Sequence, residues 1–131
     1  MIKKKDIADF QDIKMLVDTF YTKIRNHDVL APIFHERIGE LWPEHLDKMY
    51  RFWQTVLLDE HTYSGSPFAP HANLPVNALH FDAWKQLFNA TINDLFVGEN
   101  AEIAKFRAAA MAQLFLSKIE YSRNNSFKSI Q

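Results

Sequence analysis

Apolar residues recur at three- and four-residue spacing along most of the chain, and nowhere does polarity alternate with period two for more than a few residues. That spacing marks amphipathic helix rather than strand. Over 9–25 the apolar set is Ile13, Leu16, Val17, Phe20, Tyr21 and Ile24. Tyr21 shares a face with Val17, so its ring should point inward and its hydroxyl needs a partner, most simply a backbone carbonyl. Asn26, His27 and Asp28 then break the pattern, and 29–34, with Pro32 inside, predicts a single tight helical turn. Gly39 interrupts ahead of Trp42 and Pro43, and proline suits the first turn of a new helix, where its missing N–H has no intrahelical partner. In the helix expected over 43–58, His45, Met49, Phe52, Trp53 and Val56 form one stripe. A histidine therefore lies among four large apolar side chains on a core-facing surface.

The next segment, 59–75, reads as an irregular connection holding three of the five prolines. Pro67 and Pro70 leave room only for a short turn ending near His71. A connection this long in a small protein usually carries function or is disordered, and its Tyr, Phe and Leu content argues against disorder. A long helix is expected over 77–96, with Phe81, Trp84, Phe88, Thr91 and Leu95 on one face. Gly98 stops it, and Asn100 is the candidate N-cap of a last helix over 101–121. There Ala108, Ala109 and Ala110 would permit close approach of a neighbour, while Phe106, Met111, Leu114 and Phe115 supply bulk. The pattern gives one all-α domain over 1–131, with 1–8 and 122–131 frayed and the last two helices antiparallel.

Composition changes this picture in one respect. Aromatic residues make up 14% of the 131 positions, with eleven Phe, three Trp and four Tyr. That ring surface suits a dense core or a large planar apolar ligand equally well. A net charge of −1 gives no general attraction to nucleic acid or anionic lipid. Lys3, Lys4 and Lys5 are followed at once by Asp6 and Asp9, and no apolar run after them suggests a secretory signal or a membrane span. A cytoplasmic location is the default expectation. The chain has no cysteine, which removes disulfides, thiolate metal sites, a cysteine nucleophile and covalent attachment of haem through Cys-x-x-Cys-His. Its three glycines are isolated, so no Gly-rich phosphate loop is present.

Histidine is then the only soft metal ligand available. His27, His35, His61 and His80 fall near helix ends or in polar surroundings and read as surface residues. His71 is either a loop residue or a metal or haem ligand held by stiffening prolines. Tyr21, His45 and Trp84 are each, taken singly, ordinary core or edge residues. Together they place three polar-tipped side chains on the apolar faces of three helices, more than a plain helical core needs. Haem would use them economically: its iron takes a neutral imidazole, and donors on the opposite side stabilise a gas ligand that gains negative charge.

The ordered set of Phe20-Tyr21, Trp42-Pro43-Glu44-His45, Phe52-Trp53, Tyr63-Ser64-Gly65-Ser66-Pro67, His71, Leu74-Pro75 and Phe81-Asp82-Ala83-Trp84 resembles the group III truncated haemoglobins. The resemblance runs from about residue 6 to 121. It implies a two-over-two helical sandwich, a globin shortened so that the helix carrying the proximal histidine is reduced to a turn. It implies non-covalent haem b, with His71 as the proximal iron ligand, Tyr21 and Trp84 as distal hydrogen-bond donors, and His45 as the distal histidine. Phe34, Met49, Phe52, Trp53, Phe81, Met111 and Phe115 would form the apolar wall. For the haem propionates Lys48, Arg51 and Tyr63 are the candidates. Groups I and II usually carry Gly-Gly pairs flanking their helices, and this chain has none.

Three functions follow for comparison. The first is reversible binding, storage or transport of dioxygen or another diatomic gas such as nitric oxide or carbon monoxide. The second is an enzyme that oxidises nitric oxide or removes peroxide at the same iron, with an unidentified reductase as partner. The third is a helical interaction protein without haem, whose aromatic residues only pack.

Overall fold

The computed structural model describes residues 3–65 and 74–130, with side chains described as far as 124. Five helices follow one another: α1 (Phe10–Arg25), α2 (Ala31–Ile38), α3 (Trp42–Leu58), α4 (Ala78–Leu95) and α5 (Glu99–Ile130). Helix α1 packs on α2, α3 and α4, while α5 packs on α4 and touches α3. The pairs α1/α3 and α4/α5 make the two layers of a two-over-two sandwich, the all-α architecture that the resemblance implies. The described residues contain no β-strand, only an isolated parallel bridge between Lys5 and Phe96. No described helix is long and apolar enough to cross a membrane.

Local chemistry explains where each helix starts. Asp9 caps α1 by accepting the Asp12 N–H at 3.0 Å. Before α2, His27 Nδ1 accepts the Val29 and Leu30 N–H groups at 3.2 and 3.3 Å. His27 is therefore a half-buried capping residue rather than a bystander at the surface. Helix α2 runs for eight residues, not the single turn expected, because Pro32 fits its first turn and the chain turns only at Gly39 (φ +58°). Asn77 caps α4 in a reciprocal box with His80: Asn77 Oδ1 accepts the Leu79 N–H at 3.0 Å, and His80 Nδ1 accepts the Asn77 N–H at 3.1 Å.

Helix α5 departs furthest from expectation. Its N-cap is supplied from another part of the chain, not by Asn100. Asp6 accepts the Asn100 and Ala101 N–H groups, both at 2.9 Å, and the Asn100 side chain donates back to the Ile7 carbonyl at 2.8 Å. Val97 N–H adds a bond to the Lys5 carbonyl at 3.0 Å. Residues 3–8 are thus docked rather than frayed, and Ile7 is fully buried. The buried stripe of α5 is Ala101, Ala104, Ala108, Ala112, Phe115 and Ile119. Small residues let α5 approach α4 closely, whereas Ala109 and Ala110 face outward, Phe106 is 72% exposed and Leu114 is also exposed. Beyond Ser122 the backbone stays helical to Ile130 instead of fraying.

Candidate functional site

Between the two layers lies a cavity of about 710 Å³, inside the roughly 300–1,000 Å³ range of small-molecule sites. Its wall is mostly apolar. Phe34, Met49, Phe52, Phe81 and Met111 all line it and are all half-buried, so their side chains face space rather than one another. Trp53 and Phe115 also line it and are buried. Helix α2, from which the resemblance named only Phe34, contributes Ile33, Phe34 and Ile38.

Aromatic contacts fix the wall's shape. Phe88 is sandwiched between Trp53, stacked at 5.1 Å, and Trp84, stacked at 5.6 Å with planes 9° apart. Phe20 meets Trp84 edge-on at 5.4 Å and Tyr21 at 5.0 Å. Tyr21 in turn meets His45 edge-on at 5.1 Å and Phe34 at 6.0 Å. Rings held this way cannot rotate freely, so the polar tips they carry are set in place.

Tyr21, His45 and Trp84 all line the cavity, from α1, α3 and α4 respectively. Tyr21 is only 7% exposed, and its hydroxyl makes no hydrogen bond to a described residue, the expected backbone carbonyl included. Burial alone pushes the phenol well above its ordinary range, so it stays a donor through neutral and mildly alkaline solution. Trp84 and Tyr21 both meet the Phe20 ring edge-on. A buried tyrosine hydroxyl nearly always finds a partner, and one without it at a cavity wall is suited to a ligand.

His71 and Phe68 lie outside the described residues. Their flanks do not: Thr62, Tyr63, Ser64 and Gly65 before them, and Leu74 and Val76 after, line the cavity. Both flanks are tethered. Thr55 Oγ1 accepts the Thr62 and Tyr63 N–H groups at 3.1 Å. Arg123 donates to the Leu74 and Val76 carbonyls at 3.0 and 2.7 Å, from the stretch of α5 expected to fray.

Lys48, Arg51 and Tyr63, the propionate candidates, line the cavity. Arg51 is partly engaged, with Asp47 at 3.7 Å and Gln54 at 3.2 Å. Three residues were missed. Arg37 joins the cationic rim. His80, read as a surface residue, is half-buried on the cavity wall; its spacing of four from Trp84 was the available signal. Trp42 is buried behind Tyr21 and His45, with the Arg25 guanidinium 4.6 Å from its ring centre, and its indole N–H has no partner among the described residues.

Comparison with known proteins agrees with this geometry. The model of the bacterial-like globin family matches residues 6–117. The group 3 truncated hemoglobin ctb of Campylobacter jejuni is 35% identical over 116 residues, 86% of this chain and 91% of that protein. The crystal structure of a group III truncated hemoglobin from Campylobacter jejuni superposes with a TM-score of 0.80 at 32% identity, covering 89% of this chain and 95% of that one. A group II truncated hemoglobin from Bacillus anthracis follows, with a TM-score of 0.68 at 28% identity over 84% and 86% of the two chains.

Proposed function

The chain belongs to the bacterial-like globins, as a truncated haemoglobin of the group III type, and on that premise we propose that it holds non-covalent haem b and reversibly binds dioxygen or another diatomic gas. A globin holds haem, and the absence of cysteine means that any attachment is by packing and ligation rather than by thioether bonds. When bound, the haem would supply an iron able to take an imidazole and a gas as ligands.

His71 is the imidazole in this reading. Support comes from its flanks, both of which are tethered and line the cavity, and from its prolines, which limit helix formation around it. In the same reading Tyr21, Trp84 and His45 would present a phenol O–H, an indole N–H and an imidazole to the gas. Phe34, Met49, Phe52, Trp53, Phe81 and Met111 keep water out, and in such a dry site each donor contributes more than it would in solution. A gas that gains partial negative charge is held by these donors, and a nonpolar gas such as carbon monoxide benefits less. Neither Tyr21 nor Trp84 has to give up its proton for this role.

The observation that carries the proposal is Tyr21, a buried residue at the cavity wall whose hydroxyl makes no hydrogen bond to a described residue. Aromatic residues that merely packed would leave neither such a group nor a cavity of about 710 Å³, so the reading as an interaction protein without haem is set aside. The test is the absorption spectrum of the purified protein in its ferric, ferrous and carbonyl forms. A strong Soret band that weakens and shifts in His71→Ala is expected. A wild-type protein that takes up no added haem would sink the proposal.

A further inference from the structure

His80 has an arrangement that the gas-binding reading does not use. It occupies the third position of α4, one helical turn (about 6 Å) before Trp84 on the same face, and lines the cavity. Its Nδ1 accepts the Asn77 backbone N–H at 3.1 Å. The same Nδ1 lies 3.1 Å from Asn77 Oδ1. In the tautomer that accepts the Asn77 N–H, the ring proton sits on Nε2, so the capping box that starts the helix leaves the other nitrogen as a donor. Around the cavity stand three cations, Arg37, Lys48 and Arg51, against two carboxylates, Glu44 and Asp47, with Asp47 partly engaging Arg51. The N-terminal end of α4 adds its partial positive charge.

We propose that His80 Nε2–H is a hydrogen-bond donor to a peripheral carboxylate of the haem, and so a residue that retains the cofactor rather than one that touches the gas. This inference rests on the haem reading above. It assigns the carboxylate to the α4 side of the cavity as well as to the lysine and arginine of α3, and gives the helix cap a second task.

Substitution at His80 separates the two tasks, because glutamate and glutamine both complete a capping box at this position. His80→Gln keeps the cap and a donor. His80→Glu keeps the cap but turns a negative charge toward the carboxylate. His80→Ala removes both. Rates of haem loss from each holoprotein to an excess of an apoglobin acceptor are measured alongside the thermal midpoint of each apoprotein. We expect His80→Glu to lose haem roughly tenfold faster than wild type with an unchanged apoprotein midpoint, the scale of one charge-assisted hydrogen bond. His80→Gln should recover most of the retention, and His80→Ala should lose both retention and stability. Reconstitution with haem dimethyl ester, which lacks the carboxylate charges, should abolish the difference between wild type and His80→Glu. If His80→Glu retains haem as wild type does, His80 is a cap alone and the inference is overturned. If wild type itself takes up no haem, the underlying reading fails and this inference with it.

Discussion

The corner where the N-terminal arm meets the start of α5 and the cavity between the layers treat polar groups in opposite ways. At the corner every named donor is answered. Burial works to raise the Asp6 pKa, but the N–H groups of Asn100, Ala101, Ile7 and Glu99 outweigh it and hold the carboxyl below its ordinary range. Asp12 behaves similarly: burial opposes, while Lys5 and the Ala8 N–H prevail. Gly98, with φ +142°, has no side chain because a Cβ there would stand 2.4 Å from Asp6 Cγ. At the cavity Tyr21 is buried with its hydroxyl unanswered by any described residue, and large rings are left half-buried. The first arrangement stabilises a fold. The second holds back hydrogen-bonding capacity and apolar surface for something else.

The contrast can be broken most severely at Gly98. Gly98→Val adds a strained backbone and a clash with Asp6, and should cost about 3 kcal/mol in denaturant unfolding. The haem absorption of the protein that remains folded should be unchanged. At Tyr21 the signs reverse. Tyr21→Phe should raise the dioxygen dissociation rate about tenfold, as one hydrogen bond of about 1–2 kcal/mol is lost. The apoprotein should be no less stable, because the lost hydroxyl had no partner to leave behind. An unchanged dissociation rate would mean that Tyr21 does not meet the gas.

Acid should then reveal the corner rather than the cavity. Asp6 and Asp12 titrate lower in the fold than in the unfolded chain, so on acidification the unfolded chain binds their protons first. Their contribution is whole above about pH 4 and is lost as pH falls through their folded values. Asp6→Asn should lower stability by about 1 kcal/mol at neutral pH and flatten the acid limb of unfolding, followed by circular dichroism. The smallest effect is expected on the outer face of α5: Phe106→Gln should move the unfolding midpoint by no more than about 0.5 kcal/mol.

Much of this was legible in the sequence, for reasons that particular residues make clear. The spacing of Val17 and Tyr21, and of His45 and Met49, fixes which side chains share a helix face, and helix geometry then brings Tyr21 and His45 together. In α5 the same reasoning held only in part. Ala108 and Phe115 are buried as expected, but Ala109, Ala110, Phe106 and Leu114 face outward, and alanines at 101, 104 and 112 complete the packing face. Volume is a poor guide where two helices pack closely, because the contact selects small side chains. The Asp6 cap was hidden for another reason. Its partners, Asn100 and Ala101, lie more than ninety residues away, and local patterns carry no information about such pairing. His80 was misread because a place near a helix end was taken to mean the surface, and one imidazole with two nitrogens can cap the helix and line the cavity.

The stack of Trp53, Phe88 and Trp84 has an optical consequence. The chain has three tryptophans; two line the cavity, and Trp42 lies edge-on to His45 beside it. A haem in that cavity absorbs where indole emits, and all three fluorophores would lie within range of efficient energy transfer. The protein therefore carries its own gauge of occupancy, bright without cofactor and dark with it, and can be titrated with haem without any label.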